Sequence, residues 1–213
     1  MSPRQPDHSE AVEHLRRADP RLASFIERVG PCTRVIPYHF SVFYSLMRSI
    51  MYQQLAGKAA ATICGRVQMA CANGKRPTPE QVMATSDEAF RAAGLSRNKL
   101  AAIRDLAAKT LDGTVPDLKT IRRMEDDEII ERLVQVRGIG RWTAEMLLIF
   151  RLGRPDVLPV DDYGVRKGAQ LVYRLRKLPD KKRLTKIAES WRPYRSVGSW
   201  YMWRALDIKI VEE

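Results

Sequence analysis

Two short stretches of this chain gather residue types that can do chemistry. In Pro159-Val160-Asp161-Asp162-Tyr163-Gly164, two adjacent aspartates stand where a helix is expected to begin. Residue pattern alone has a plain account of them: one carboxylate caps the helix and the other complements its dipole. An ionised carboxylate in such a place could equally stabilise developing positive charge, or orient and deprotonate a water. The second stretch is Val136-Arg137-Gly138-Ile139-Gly140, followed by Arg141-Trp142-Thr143-Ala144. Glycine tolerates positive φ and, lacking Cβ, lets another backbone come close. The helix that follows offers unpaired N–H groups and a favourable dipole, which together suit a phosphate oxygen. An ordinary tight turn between two helices would use the same residues.

The charge balance supplies a partner class. Lysine and arginine number 37 against 25 acids, so the 213-residue chain carries a formal charge of +12. Such a field attracts phosphate backbones or acidic membrane surfaces, and does not by itself choose between them. No apolar run approaches the roughly 18 residues of a membrane span. The polar start MSPRQPDHSE lacks the apolar core of a signal peptide. The expectation is a soluble protein, not secreted, in the cytoplasm of a bacterium or the nucleus of a eukaryote, with no membrane partner. Cys32, Cys64 and Cys71 are odd in number and at no metal-ligand spacing, so they are expected as buried thiols.

The elements that must position the two stretches are helices. Apolar residues recur at helical spacing and no alternating strand pattern appears, which predicts an all-α chain. Residues 1 to 10 look frayed. Ala11 to Arg17 and Pro20 to Gly30 are expected as short helices, followed by two buried helices between Ser41 and Cys71 joined near Leu55 to Lys58. Thr78, Ser86 and Ser96 can each cap a helix, with Gly94 closing the second and Gly113 the third. Asp126 or Asp127 opens a helix through Val136, and a glycine-bearing turn leads into another over Arg141 to Leu152.

The string from Leu133 to Ala144 resembles the helix-hairpin-helix of the superfamily of DNA glycosylases that includes endonuclease III and the alkylpurine glycosylases. The resemblance covers roughly Phe43 to Asp207. Ser49-Ile50-Met51-Tyr52-Gln53-Gln54-Leu55-Ala56 is similar to the family's Gln-Gln segment, and Ala93-Gly94-Leu95-Ser96 with Lys99 to its next landmark. The hairpin, the aspartate segment and a C-terminal tryptophan follow in the family's order.

That resemblance implies a catalytic carboxylate at Asp162, with Asp161 as its capping neighbour. Cleaving an N-glycosidic bond builds positive charge on the sugar, which an ionised carboxylate stabilises. An alkylated purine already carries positive charge and leaves readily as a neutral base. Bifunctional relatives place a Schiff-base lysine where this chain has Trp142; without an amine nucleophile no covalent imine forms, and water is the expected nucleophile. Iron-sulfur relatives end in four cysteines, whereas no cysteine follows Cys71 here, so no iron-sulfur cluster is expected and no cofactor is required.

Trp142, Trp203 and Tyr52 match or neighbour aromatic positions of a base pocket, where an indole face attracts a cationic base by up to about 2 kcal/mol. Core packing is the plain alternative for each tryptophan; most of Trp191, Tyr194, Trp200 and Tyr201 are assigned to lobe packing. Leu55 resembles the wedge that fills the gap left by a flipped nucleotide, with a core leucine as its alternative. Gln53, Gln54, Gly138, Gly140, Arg141 and Thr143 are the expected DNA contacts. The resemblance further implies that the main-chain carbonyls of Val134, Val136 and Gly138 hold a structural Na+ or K+ at the hairpin, for which carbonyl ligands leave no side-chain signature. The run from Arg166 to Lys186 is a solvated basic surface that could add sequence-independent phosphate affinity.

The expected architecture is two helical lobes with a helix-hairpin-helix motif and an active-site cleft between them. Residues 41–152 would form a central bundle, and residues 1–40 with 153–213 the second lobe. The additional N-terminal β-rich domain of some larger relatives is not expected within these 213 residues. The expected activity is monofunctional hydrolysis of alkylated purines, 3-methyladenine and secondarily 7-methylguanine, in double-stranded DNA by a monomer. The rival readings are a non-catalytic DNA-damage-binding module and a glycosylase for deaminated or oxidised bases.

Overall fold

The computed structural model describes residues 7–208, and every described element is a helix or a turn. Helix α1 spans Ser9–Ala18 and α2 Pro20–Val29; the first six residues of the expected frayed start lie outside the described range. Then come α3 (Val42–Tyr52), α4 (Gly57–Ala72), α5 (Pro79–Ala84), α6 (Asp87–Ala92) and α7 (Arg97–Leu111). The short α8 (Leu118–Ile121) precedes α9 (Asp126–Leu133) and α10 (Arg141–Leu147). After a π-helical turn over Leu148–Leu152, α11 covers Tyr163–Val172, α12 Lys181–Ile187 and α13 Arg195–Asp207. The chain divides into two compact units, one of residues 39–147 and one of residues up to 38 together with those from 148 onward.

In the unit of residues 39–147, α3 buries Phe43, Leu46, Met47, Ile50 and Met51, and it packs on α7. The facing stripe of α7 is Leu100, Ile103, Leu106 and Ala107. Each large aliphatic side chain so buried stabilises the fold by about 1.5–3 kcal/mol. The helix starts are set by side-chain caps at the expected places. Thr78 and Gln81 form a reciprocal capping box, Ser86 accepts from the Ala89 amide, and Ser96 accepts from the Lys99 amide.

In the other unit, Leu15, Leu22, Ile26, Val165, Ala169, Trp191, Tyr201 and Met202 form one core. Helix α11 lies against α13 closely enough that a Cβ on Gly168 would sit 2.0 Å from the Met202 carbonyl oxygen. Asp19 caps α2 through the Leu22 amide and accepts from the Tyr173 hydroxyl and the Trp191 indole. Burial and that carboxylate push the Tyr173 pKa up.

Two expected helices differ in extent. The one predicted to reach Val136 ends at Leu133, because the chain turns there with Val136 N bonding back to Leu133 O. The one predicted over Arg141 to Leu152 is α-helical only to Leu147. Its final turn widens into π geometry, and the buried Arg34 guanidinium donates to the Ile149 carbonyl within that turn at 3.1 Å.

Candidate active site

The hairpin is built from inside out. Leu133, Val136 and Ile139 are buried and tie the turn to the core, while Arg137, Gly138, Gly140 and Arg141 stay exposed. Gly138 has φ +80, a conformation that disfavours any side chain. Helix α7 holds the turn from below: Asp105 accepts the Arg137 amide at 2.7 Å and pairs with Lys109 at 2.7 Å. Burial works to raise the Asp105 pKa, but the Arg137 amide and the Lys109 ammonium outweigh it and hold the group below its ordinary value.

The end of α3 closes the other side. Gln53 donates its side-chain amide to the Gly138 carbonyl at 2.9 Å. The Lys99 ammonium donates to the Gln53 carbonyl at 2.7 Å and to the Met51 carbonyl at 2.8 Å. A cation on the last carbonyls of a helix satisfies groups with no intrahelical partner, and burial lowers the pKa of Lys99. Gln54 takes the left-handed region at φ +57, and the chain then presents Leu55 at 38% exposure. Gln53, Lys99 and the hairpin therefore form one hydrogen-bonded assembly. The sequence marked Lys99 only as a landmark and gave no signal for its reach across 46 positions.

The remaining hairpin residues are placed unequally. Trp142 is exposed at 47% on α10, whereas Thr143 is buried at 6% with its amide on the Gly140 carbonyl. Of the expected DNA contacts, Thr143 is thus the one whose side chain points inward, in the first turn of α10. Arg141 is exposed but shares its charge with the buried Glu145 at 3.0 Å. Tyr52 is half-buried, and the Arg48 guanidinium covers one face of its ring at 4.2 Å.

In the other unit, Asp162 is buried at 8% exposure. One oxygen, Oδ1, accepts the Val165 amide at 2.8 Å and the Trp203 indole N–H at 2.9 Å. This corrects the division of labour expected of the two aspartates. Asp162 is the cap, because it directly precedes the first helical residue and reaches the third helical amide. Asp161 is exposed and pairs with Lys181 at 2.6 Å. The cap is thus the same residue that the sequence marks as the candidate for chemistry, and its carboxylate is oriented by two N–H donors.

Two further residues hold that geometry. Phe150, from the π turn, lies against the Trp203 ring with centroids 5.3 Å apart. A Cβ on Gly164 would meet Trp203 Cδ1 at 2.8 Å and Asp162 Oδ1 at 3.0 Å, so only glycine leaves room for the indole on the carboxylate. Glycine two residues after the aspartate was the one sequence signal for this contact. Trp203 was expected in a base pocket, and its N–H is committed to Asp162. Among the described residues no cluster of three or more His, Cys, Asp or Glu side chains could hold a metal ion.

Comparison with known proteins gives a consistent result. The pattern of the HhH-GPD superfamily base excision DNA repair protein matches residues 47–193, which include the hairpin and Asp162. The chain is 41% identical over 162 residues to DNA-3-methyladenine glycosylase 1 of Schizosaccharomyces pombe, spanning 76% of this chain and 71% of that protein. The solved structure of Schizosaccharomyces pombe 3-methyladenine DNA glycosylase (Mag1) in complex with abasic DNA superposes with a TM-score of 0.83 at 35% identity, covering 96% of this chain and 100% of that one. A DNA-3-methyladenine glycosidase from Bacillus halodurans superposes with a TM-score of 0.85 at 39% identity, covering 92% and 89%.

Proposed function

This chain belongs to the HhH-GPD superfamily of base excision DNA repair proteins, and on that premise we propose that it is a monofunctional DNA glycosylase hydrolysing the N-glycosidic bond of alkylated purines. The observation that carries the reading is the Asp162 carboxylate, buried and oriented by the Val165 amide and the Trp203 indole. As the bond to a cationic purine breaks, charge moves onto the sugar, and a fixed anion stabilises that state without reorganising. The base leaves as a neutral molecule. Water, oriented by the same carboxylate, adds to the sugar and gives up a proton to that carboxylate, which passes it to solvent, leaving an abasic site. Trp142 stands where a bifunctional relative would carry its lysine, so no imine forms and the strand is not cut.

The substrate is double-stranded DNA carrying 3-methyladenine or, secondarily, 7-methylguanine, bound by a monomer. The exposed Trp142 indole offers a face to the cationic base, an attraction of up to about 2 kcal/mol when desolvated. Tyr52 contributes the ring face that Arg48 leaves open, and Trp203 a ring face beside the carboxylate. Leu55 enters the gap left by the flipped nucleotide. Gln53, Gln54, Gly138, Gly140 and Arg141 grip the DNA backbone, with Gln53 acting through its bond to the hairpin.

A structural Na+ or K+ at the hairpin fits the donor set. The Val136 carbonyl accepts the Ile139 amide and the Gly138 carbonyl accepts the Gln53 amide; a carbonyl oxygen has two lone pairs, so each keeps one for a hard cation. With the Val134 carbonyl these oxygens would hold the ion, which when bound supplies positive charge for a DNA phosphate.

The test is base release from methylated duplex by Asp162→Asn. Asparagine is as good a helix cap as aspartate, so the fold and melting temperature should hold while excision falls by roughly 10²–10³-fold. Comparable activity in the variant would end the assignment. Borohydride should trap no adduct with either protein.

A further inference from the structure

Around the far end of α11 the surface is open and strongly basic. One cavity of about 460 Å³ is lined by Arg21, Arg28 and Arg174 among others. A second, of about 660 Å³, shares Arg21, Tyr173 and Arg174 with it and continues past Arg176, Lys177 and Arg183. The two form one groove. Its cations are exposed, and among the described residues none of Arg28, Arg174, Arg176, Lys177 and Arg183 makes an ion pair. The acid of the second cavity, Asp180, spends its Oδ1 on the Arg183 amide as the cap of α12.

A cation after a helix C-terminus has a bland account, since it complements the dipole. That covers Arg174 and its immediate neighbours, Arg28 in the last turn of α2, and Arg21, which donates to the carbonyl of Tyr173 at the end of α11 at 3.1 Å; it does not cover Arg183, a cation in the first turn of α12, where the dipole disfavours it. Unbalanced like charges raise the free energy of the compact state through self-repulsion. Arg174 is also held at φ +50, with Leu175 N bonding back to Gln170 O, a helix-ending turn in which glycine is the usual residue. An arginine kept there at a conformational cost of about 1–2 kcal/mol lines both cavities. Guanidinium forks spread along an open groove match the oxygens of a linear polyanion better than a single small ion.

Helix α11 connects this groove to the carboxylate. It begins directly after Asp162 and runs for 10 residues, about 15 Å of rise. One strand of duplex carries a phosphate about every 3.4 Å of axis, so with the helix laid along the duplex that length spans about four phosphates. We propose that the groove is a second contact for the DNA backbone, gripping phosphates about four nucleotides from the damaged one; this rests on Asp162 facing the sugar of that nucleotide.

The experiment compares Arg174→Gly/Arg176→Ser with Lys119→Ser/Arg123→Ser, which removes the same charge elsewhere. Binding to a duplex bearing a stable abasic-site analogue is followed against salt. Each lost phosphate contact lowers the slope of log K on log salt by about 0.9, so the groove variant should lose about 1–2 and the control much less. Uncharged methylphosphonates placed about four positions from the lesion, in each strand in turn, should weaken the wild type and leave the groove variant unaffected. Single-turnover excision at saturating DNA should stay within about twofold of wild type, because no group at the reacting bond has changed. Equal slope loss in the two variants, or no loss in either, overturns the proposal. The slopes read binding alone. A wild type that releases no base yet shows the groove effect removes the glycosylase assignment and leaves the groove; normal excision with equal slopes does the reverse.

Discussion

At the hairpin the apolar residues Leu133, Val136 and Ile139 face inward, and the surface presents the bare backbone of Gly138 and Gly140 between the exposed side chains of Arg137 and Arg141. At the start of α11 the reverse holds, for Asp162 is itself buried and its neighbours Asp161 and Tyr163 are the exposed residues. Glycine serves the two regions in different ways. Gly138 supplies a backbone angle, whereas Gly164 and Gly168 supply space, one for an indole on a carboxylate and one for the backbone of α13. Under the proposed function, the first region would meet a polyanion with main chain, whereas the second would hold a charge for the sugar through packed side chains, which makes its supports many and individually intolerant of change.

Alanine at each of these glycines breaks the comparison at a different point. Gly168→Ala should have the largest effect. Its Cβ would lie 2.0 Å from the Met202 carbonyl oxygen and 2.6 Å from the carbonyl carbon, backbone atoms that cannot rotate away. Overpacking of this kind costs about 3 kcal/mol or more, equivalent to a fall of roughly 6–12 °C in melting temperature for a chain of this size. An unchanged thermal transition would mean that α11 and α13 part easily.

Gly164→Ala comes next and should separate chemistry from binding. Here the obstructing atoms are Trp203 Cδ1 at 2.8 Å and Nε1 at 3.1 Å. The indole must swing off the carboxylate, leaving Asp162 with the Val165 amide and a shifted orientation. A displacement near 1 Å at a reacting group can cost about 10²-fold, so excision at saturating DNA should fall by about that factor with affinity nearly intact. A loss of affinity without a loss of rate would transfer Trp203 from positioning the carboxylate to holding the base.

Gly138→Ala tests the hairpin in the same currency of stability. Positive φ disfavours a side chain by about 1–2 kcal/mol, and the added Cβ would meet Ala102 Cβ at 3.3 Å. Denaturant unfolding should register that loss, and DNA affinity should fall as the Gly138 carbonyl and its bond from Gln53 shift. The rate at saturation should not change. Pairing it with Ala102→Gly relieves the contact and leaves the angle, so stability that returns fully in the double variant would assign the penalty to crowding.

The difference between the regions also decides how much was legible in the residues. Local signals worked: the caps at Thr78, Ser86 and Ser96, the break between α3 and α4, and the glycine turn all depend on neighbours within a few positions. Hydrophobic spacing carried the helices for the same reason. Contacts over long separations left no trace, such as Lys99 on the end of α3 or Phe150 on Trp203. The π turn at Leu148–Leu152 was read as plain helix because its side chains keep a helical apolar pattern; its partner, Arg34, lies 115 positions away. Asp161 and Asp162 were separable only in three dimensions, since either could precede the first helical residue by one position and only the observed start of α11 makes Asp162 the cap.

Gly140→Ala has the smallest expected effect on the free protein and the sharpest meaning. No heavy atom lies within 4 Å of a Cβ built there, so stability should stay within about 0.5 kcal/mol of wild type. That open space has no structural purpose in the unbound molecule. If DNA backbone approaches the hairpin at this point, a methyl group stands between the phosphate and the helix amides, and affinity should fall about tenfold, or roughly 1.4 kcal/mol. Titration of the variant against duplex at fixed salt measures this directly. Unchanged affinity would move the grip from main chain to side chains, and Arg141→Ala, which removes a charge already shared with Glu145, would then be the larger loss.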